Sequence, residues 1–342
     1  MSATSSIYGS LCNDSSPSAT AAAGETPPAR YVFYVLVGGA VALANTLIFC
    51  ALVSDRALRT KNHYVIIAGL ALFDATNGFA ALVAGPWRSY LFWTGAHRTL
   101  YTSWQCLTLR PYTSLMNWAG VGSQVMLAAQ SLDRLLAVGA PIFYYKCRGA
   151  YKWRLVGGAY ALVTAWYLVG VGISFTNEPV ARYFSTCQSL WAVGSVRYAE
   201  WWFIVQAAAS GTSAALYVPV MLCYYRWRRQ RARLAPERTA SALATARGEP
   251  GARLSWAAGA ASDHRLALTT GISCAVTMAM ATVPNAAMRL LLDSHASGYE
   301  EVANVVYLLT LANSLPTVCI YAARHEDLRT AIRALIRPKP AS

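Results

Sequence analysis

The feature that most constrains this chain is a series of apolar runs of about 20 residues, the length a helix needs to cross a hydrocarbon core of about 30 Å. They cover Tyr31 to Val53, Tyr64 to Val83, Leu115 to Val138, Leu155 to Phe175, Trp201 to Tyr225, Leu266 to Leu292 and Val302 to Tyr321. Of the 342 residues, 56% are hydrophobic and 13% charged, which leaves too little polar surface to coat a soluble globule of this size. The expected fold is an all-α membrane protein, a seven-transmembrane helix bundle with its termini on opposite sides.

Basic residues set the orientation, because cytoplasmic loops accumulate Lys and Arg. Of the 29 Lys and Arg residues, 21 lie in the segments after the first, third, fifth and seventh runs and seven on the other side, with Arg134 at the inner end of the third run. The amino terminus is then extracellular and the carboxyl terminus cytoplasmic, at the plasma membrane. The net charge of +14 becomes a signature of topology, with membrane lipid as a further contact, and not of a nucleic-acid partner.

Residues 1–30 are rich in Ser, Ala, Thr and Pro and lack an apolar core. They read as a disordered extracellular tail rather than a cleavable signal, and Asn13-Asp14-Ser15 makes Asn13 a glycosylation acceptor. Residues 31–321 form the transmembrane domain, within which 226–265, dominated by Arg, Ala, Ser, Gly and Pro, reads as a flexible cytoplasmic loop. In 322–342, Leu328, Ile332, Leu335 and Ile336 share one helical face while Arg329, Arg333 and Arg337 lie elsewhere. That pattern predicts an amphipathic helix in the membrane interface, followed by a short tail.

Four of the eight cysteines, Cys50, Cys223, Cys274 and Cys319, fall in or at the ends of apolar runs, where Cys acts as a small hydrophobe. Cys147 is cytoplasmic. Of Cys12, Cys106 and Cys187 on the oxidising side, Cys106 and Cys187 form the expected disulfide, which would tie the outer end of the third span to the loop after the fourth.

An ionisable group inside a membrane span costs several kcal/mol and is functional by default. Asp74 stands in the second run with no basic residue within two turns of its own helix, so its partners must come from other spans. Asn45, Ser123, Asn313 and Ser314 are isolated polar residues at matching depth. A carboxylate ringed by amide and hydroxyl oxygens suits a small hard cation or a proton. A hydrogen-bond cluster that locks the helices together is the structural alternative.

These residues also carry a resemblance. Asn45, the stretch Leu58-Arg59-Thr60-Lys61-Asn62-His63-Tyr64, Leu70-Ala71-Leu72-Phe73-Asp74, Ser131-Leu132-Asp133-Arg134-Leu135 with Pro141 and Tyr144 beyond, and Asn313-Ser314 with Ile320-Tyr321 together resemble the rhodopsin-like G-protein-coupled receptors from about Val32 to Arg337. The resemblance implies that Asp74, Ser123, Asn313 and Ser314 form a pocket for an allosteric sodium ion, with Asn45 adjacent and no other cofactor. It implies that Asp133 restrains Arg134 until activation, and that Pro141 and Tyr321 belong to the end that couples to a heterotrimeric G protein. The family's Asn-Pro-x-x-Tyr is here Thr317-Val318-Cys319-Ile320-Tyr321, with the proline two residues early at Pro316, and Thr282 stands where an aromatic toggle is expected before Pro284.

Met116 occupies the position that is aspartate in amine receptors, and Leu311 the one that is lysine in opsins, so neither a biogenic amine nor retinal is favoured. Met116, Asn117, Asn285, Arg289 and Tyr307 would line the outer half of the bundle, a mixture suited to an extracellular small molecule, with Arg289 available to an acidic group on it. A weaker resemblance to nematode serpentine chemoreceptors implies a chemosensory role. The alternatives are a non-signalling or constitutively active relative, and an ion- or proton-coupled transporter built on Asp74. An enzyme is not expected, since the sequence carries no metal-ligand cluster, nucleophile elbow or phosphate-binding loop.

Overall fold

The computed structural model describes residues 29–146, 150–176, 183–187, 196–244, 271–293 and 299–336. Its helices are α1 (Arg30–Ser54), α2 (Arg56–Thr60), α3 (Asn62–Trp93), α4 (Ser103–Leu109), α5 (Pro111–Gly139), α6 (Pro141–Lys146), α7 (Tyr151–Thr176), α8 (Val196–Ala244), α9 (Val283–Asp293), α10 (Tyr299–Ala312), α11 (Ser314–Arg324) and α12 (Glu326–Ile336). A π-helical segment, Met278–Thr282, leads into α9. Among the described residues the only strands are β1 (Leu100–Tyr101) and β2 (Tyr183–Phe184), paired antiparallel.

Six helical stretches are long and apolar enough to cross a membrane, and the architecture is that of an all-α membrane protein. The 29-residue α5, about 43 Å long at 1.5 Å per residue, is not one of the six. It packs on α3, α7 and α8, and its inner positions are polar: Asn117, Gln124, Gln130, Ser131 and Asp133 are all buried. Those residues dilute its apolarity and concentrate the polar chemistry at the bundle centre.

Lipid tails are as apolar as leucine, so helices in a membrane are held by close packing and polar contacts rather than by water exclusion. The seam between α1 and α3 is built for close approach. A methyl added at Gly78 would lie 2.5 Å from the Ala42 backbone nitrogen and 2.8 Å from the Gly38 carbonyl oxygen. Between α3 and α5, Gly122 leaves room for the fully buried Phe73, whose ring stacks 4.1 Å from Tyr160 and meets Trp118 at a tilt, 4.6 Å away.

Local signals set the ends of the elements. Asp55 caps α2 by accepting from the Ala57 and Leu58 amides, Thr102 and Gln105 form a reciprocal capping box on α4, and Pro111 opens α5 where its missing N–H costs nothing. The short α2 is also held from α7, where the buried Lys152 donates to the carbonyls of Arg59 (2.7 Å) and Thr60 (3.2 Å). At the other end of the bundle Cys106 and Cys187 form a disulfide, as expected from the sequence.

Three boundaries differ from the sequence expectation. The apolar run ending at Val83 continues as α3 through Pro86 to Trp93. The loop expected over 226–265 is corrected in its first part: α8 runs on to Ala244, because Arg, Ala, Leu, Gln and Glu in that stretch are strong helix formers. The last span is interrupted at Asn313, between α10 and α11 and three residues before Pro316, whose ring would clash with the Ala312 carbonyl in an unbroken helix. The amphipathic α12 docks Leu328, fully buried, and Ile332 against Ile48, Leu52 and Tyr64, leaving Leu335 and Ile336 exposed. The sequon at Asn13, the tail 1–28, the segment 245–270 and residues 337–342 lie outside the described residues.

Candidate functional site

Asp74 is the thirteenth of the 32 residues of α3 and is 9% exposed. Ser123 of α5 donates to its Oδ1 at 2.5 Å. Both residues line a cavity of about 20 Å³, room for one water molecule or an ion of that size. Asn313 and Ser314 border the same cavity from the break between α10 and α11. The interruption has a local cause and a local consequence: Pro316 ends the regular ladder, and the turn at Asn313 brings its side chain inward.

The cluster spans four helices. Asn45 of α1 donates to the Val41 carbonyl (3.0 Å) and, more weakly, to Ser314 Oγ (3.5 Å). Asn313 donates its amide to Thr277 Oγ1 (3.1 Å), while its Oδ1 is buried and without a hydrogen-bond partner. The sequence set Asp74, Ser123, Asn313 and Ser314 is therefore brought together, with Asn45 one bond removed.

The donor set fits a monovalent cation. It is made of oxygen ligands, with no cysteine or histidine on the cavity wall. One carboxylate balances one positive charge, whereas a divalent ion would leave an excess charge in a medium of low dielectric. The unpaired Asn313 Oδ1 is an acceptor with no other claim on it.

At the far end of α5, Asp133 accepts hydrogen bonds from the neighbouring Arg134, through Nε at 3.0 Å and through Nη2. Asp133 is fully buried and Arg134 is 8% exposed. One turn earlier Gln130 Nε2 donates to the hydroxyl of Tyr321 on α11, so α5 and α11 are bonded beside the pair. Pro141 opens the short helix α6 that follows. On the surface next to this end, Lys61 Nζ reaches Asp327 Oδ2 of α12 at 2.6 Å, and this hydrogen bond holds the Asp327 carboxyl below its ordinary range.

The residues expected to line a ligand site do not converge on the Asp74 cavity. Met116 and Tyr307 join an apolar cluster with Tyr31, Tyr34 and Leu311. Asn117 donates to the Thr113 carbonyl one turn back (3.1 Å), and Asn285 donates to the Ala281 carbonyl (2.9 Å) and Thr310 Oγ1 (3.4 Å). Arg289 lies on α9, and its side chain is outside the described residues.

Sequence reasoning missed the most buried cation of this half among the described residues. Arg88 of α3 is 3% exposed, donates to the carbonyls of Thr186 (3.0 Å) and Cys187 (3.3 Å), and stacks 5.3 Å from both the Tyr34 and Tyr112 rings. Arg110 adds a bond to the Ser185 carbonyl at 3.3 Å. Residues 185–187 are thus clamped over the bundle by two arginines and a disulfide. An arginine just beyond an apolar run reads as interfacial, and only the continuation of α3 through Pro86 places Arg88 inside. Gln124 was also missed, an amide in an apolar run that lines the cavity beside Ser123 and Gly120 of its own helix and residues of other helices.

No protein-family model matches the chain, and no curated protein matches it significantly.

Proposed function

We propose that this chain is a seven-span plasma-membrane receptor of the rhodopsin-like class, with α5 added to the six apolar stretches as its third span, an extracellular amino terminus and a heterotrimeric G protein as its cytoplasmic partner. The observation that carries this reading is the Asp133–Arg134 pair, buried at the end of the central helix and flanked by the Gln130–Tyr321 bond. Separating a buried ion pair leaves an uncompensated charge at a cost of about 3–5 kcal/mol. The pair therefore stays closed until another protein offers Arg134 an acceptor, which is the physical content of a two-state switch. The basic residues after the odd-numbered runs orient this end toward the cytoplasm.

In the same reading the Asp74 cavity holds an allosteric sodium ion on Asp74, Ser123, Asn313 and Ser314. The ion would supply a positive charge that joins α3, α5 and the interrupted last span in one arrangement, so its occupancy would bias the switch at the other end of α5. The extracellular ligand is a small molecule in the outer half, in a chemosensory role. α12 lies at the membrane interface, with Leu335 and Ile336 turned to lipid.

The coupling reading is tested by guanine-nucleotide exchange on a panel of heterotrimers with the purified chain and with Arg134→Ala. The parent accelerates exchange on at least one heterotrimer, and the variant returns to the rate without receptor. Equal exchange in both, on every heterotrimer, removes the receptor assignment. The break at Asn313 beside a buried acid is also what an ion-coupled carrier would have; sodium-driven solute uptake into proteoliposomes, lost in Asp74→Asn, would move the assignment there.

A further inference from the structure

Gln124 sits one residue after Ser123 on α5, is 4% exposed, and lines the Asp74 cavity. Its Oε1 is buried and has no hydrogen-bond partner. An unpaired carbonyl in the middle of a membrane bundle is costly, because no water competes for it there. Replacing the amide with a hydrocarbon would remove that cost, so its presence needs a reason.

The cavity supplies one. Asp74, Asn313 and Gln124 all line a space for a single small particle, and the last two each carry a buried carbonyl oxygen without a partner. A water molecule has two protons and cannot serve three acceptors, whereas a cation is attracted to all of them. Gln206 provides the contrast. Both of its amide atoms are buried and unpaired, yet it stands behind Gly120, where an added methyl would meet its Nε2 at 3.3 Å, and it does not line the cavity.

We propose that Gln124 is a cation ligand of the Asp74 cavity, its side-chain carbonyl completing an oxygen set with Asp74, Ser123 and Asn313. The inference rests on the reading of that cavity as a monovalent-cation site. It assigns the cavity's selectivity in part to α5: a carbonyl adds field strength without adding charge, which keeps the site monovalent. It also makes sodium occupancy sensitive to any rotation of α5, the helix that ends in Asp133–Arg134.

The test is thermal stability of the detergent-solubilised full chain, titrated with NaCl against N-methylglucamine chloride at constant ionic strength. The parent should show a saturable sodium-specific rise in unfolding temperature, and Asp74→Asn none. Gln124→Leu should need about tenfold more sodium for the same rise, the range seen when a group supporting a metal is lost. In N-methylglucamine alone it should unfold no earlier than the parent, because an unpaired carbonyl has been removed. Gln206→Leu should keep the parent's sodium dependence. A Gln124→Leu protein that responds at the parent's sodium concentration, with Asp74→Asn unresponsive, overturns the role of Gln124 and leaves the cation site standing. A parent with no sodium-specific rise overturns both. If Gln124→Leu does not fold, Gln124→Asn, which keeps the amide but draws it back by one methylene, should show the same rightward shift, and an unshifted response in it would overturn the proposal.

Discussion

Substituting Gly78 by alanine should loosen the whole α1–α3 seam. The added methyl would stand 2.5 Å from the Ala42 nitrogen, 2.8 Å from the Gly38 oxygen and 2.9 Å from Val41 Cγ1. The first two are backbone atoms and cannot swing aside, so the helices must part by about 0.9 Å to reach the distance at which ordinary contact begins, near 3.4 Å. A radial gap of about 0.5–1 Å forfeits a quarter to a half of the dispersion energy of each facing atom pair. The loss is repeated along a seam that includes Tyr31, Val41, Ala81 and Gly85. Overpacking of this kind costs about 1–3 kcal/mol, and the backbone contact puts Gly78→Ala at the top of that range. Thermal unfolding in detergent can be followed by the reaction of the buried Cys274 with a thiol dye, above the background from the exposed Cys223 and Cys319. Two controls bracket the result. Gly39→Ala places its methyl at an ordinary contact distance of 3.5 Å from Leu82 Cδ1 and Gly158→Ala meets nothing within 4 Å, so each should gain up to about 1 kcal/mol of helix propensity. A Gly78→Ala protein as stable as the Gly39→Ala control would refute the close-packing account of this seam.

Further outcomes follow from the ends of the bundle. Arg88→Leu should leave the Cys187 carbonyl without a donor, at about 1–3 kcal/mol, leave the Thr186 carbonyl only the long bond from the Tyr112 hydroxyl (3.5 Å), and speed both proteolysis near 183–187 and reduction of the Cys106–Cys187 disulfide. Arg88→Lys should not restore either rate, since an ammonium lacks the forked donors that reach both carbonyls and the flat guanidinium that lies 5.3 Å from the Tyr34 and Tyr112 ring centres. Asp327 is easier to ionise in the folded protein than in the unfolded chain, so its contribution is present above the ordinary carboxylate range and lost as pH falls through its lowered value. Amide exchange in Glu326–Ile336, corrected for intrinsic rates, should therefore be flat from about pH 7 to 5 and quicken only below about pH 4. Because Lys61 and Asp327 are about half exposed, the acceleration should stay within about fivefold and be mimicked at neutral pH by Asp327→Asn.

Much of the site was legible because membrane burial makes polar residues expensive. Asp74 in an apolar run demanded partners, and Ser123 is bonded to it while Asn313 and Ser314 share its cavity. Compartment narrowed the disulfide to Cys12, Cys106 and Cys187, and the tie from the third span to the loop after the fourth selected Cys106 and Cys187. The residues that escaped notice are those whose burial depends on where a helix ends. Arg88 and Pro86 together look like the close of a span, because proline breaks a helix in isolation; in the bundle Pro86 is accommodated within α3. The charged start of 226–265 looks like a loop by composition, but its residues are also good helix formers, and α8 simply continues. Gln124 and Gln206 are a different case. Nothing in their own sequence neighbourhood distinguishes a paired from an unpaired amide, since the answer lies on other helices.

In the proposed function the buried Asp133–Arg134 pair is a latch released toward a G protein, and basal nucleotide exchange on a responsive heterotrimer reads its release. Asp133→Asn removes the restraint and leaves Arg134 seeking an acceptor, so exchange without ligand should rise above the parent. The double variant with Arg134→Ala should fall back to the rate without receptor. A folded Asp133→Asn protein whose basal exchange equals or falls below that of the parent would contradict the latch.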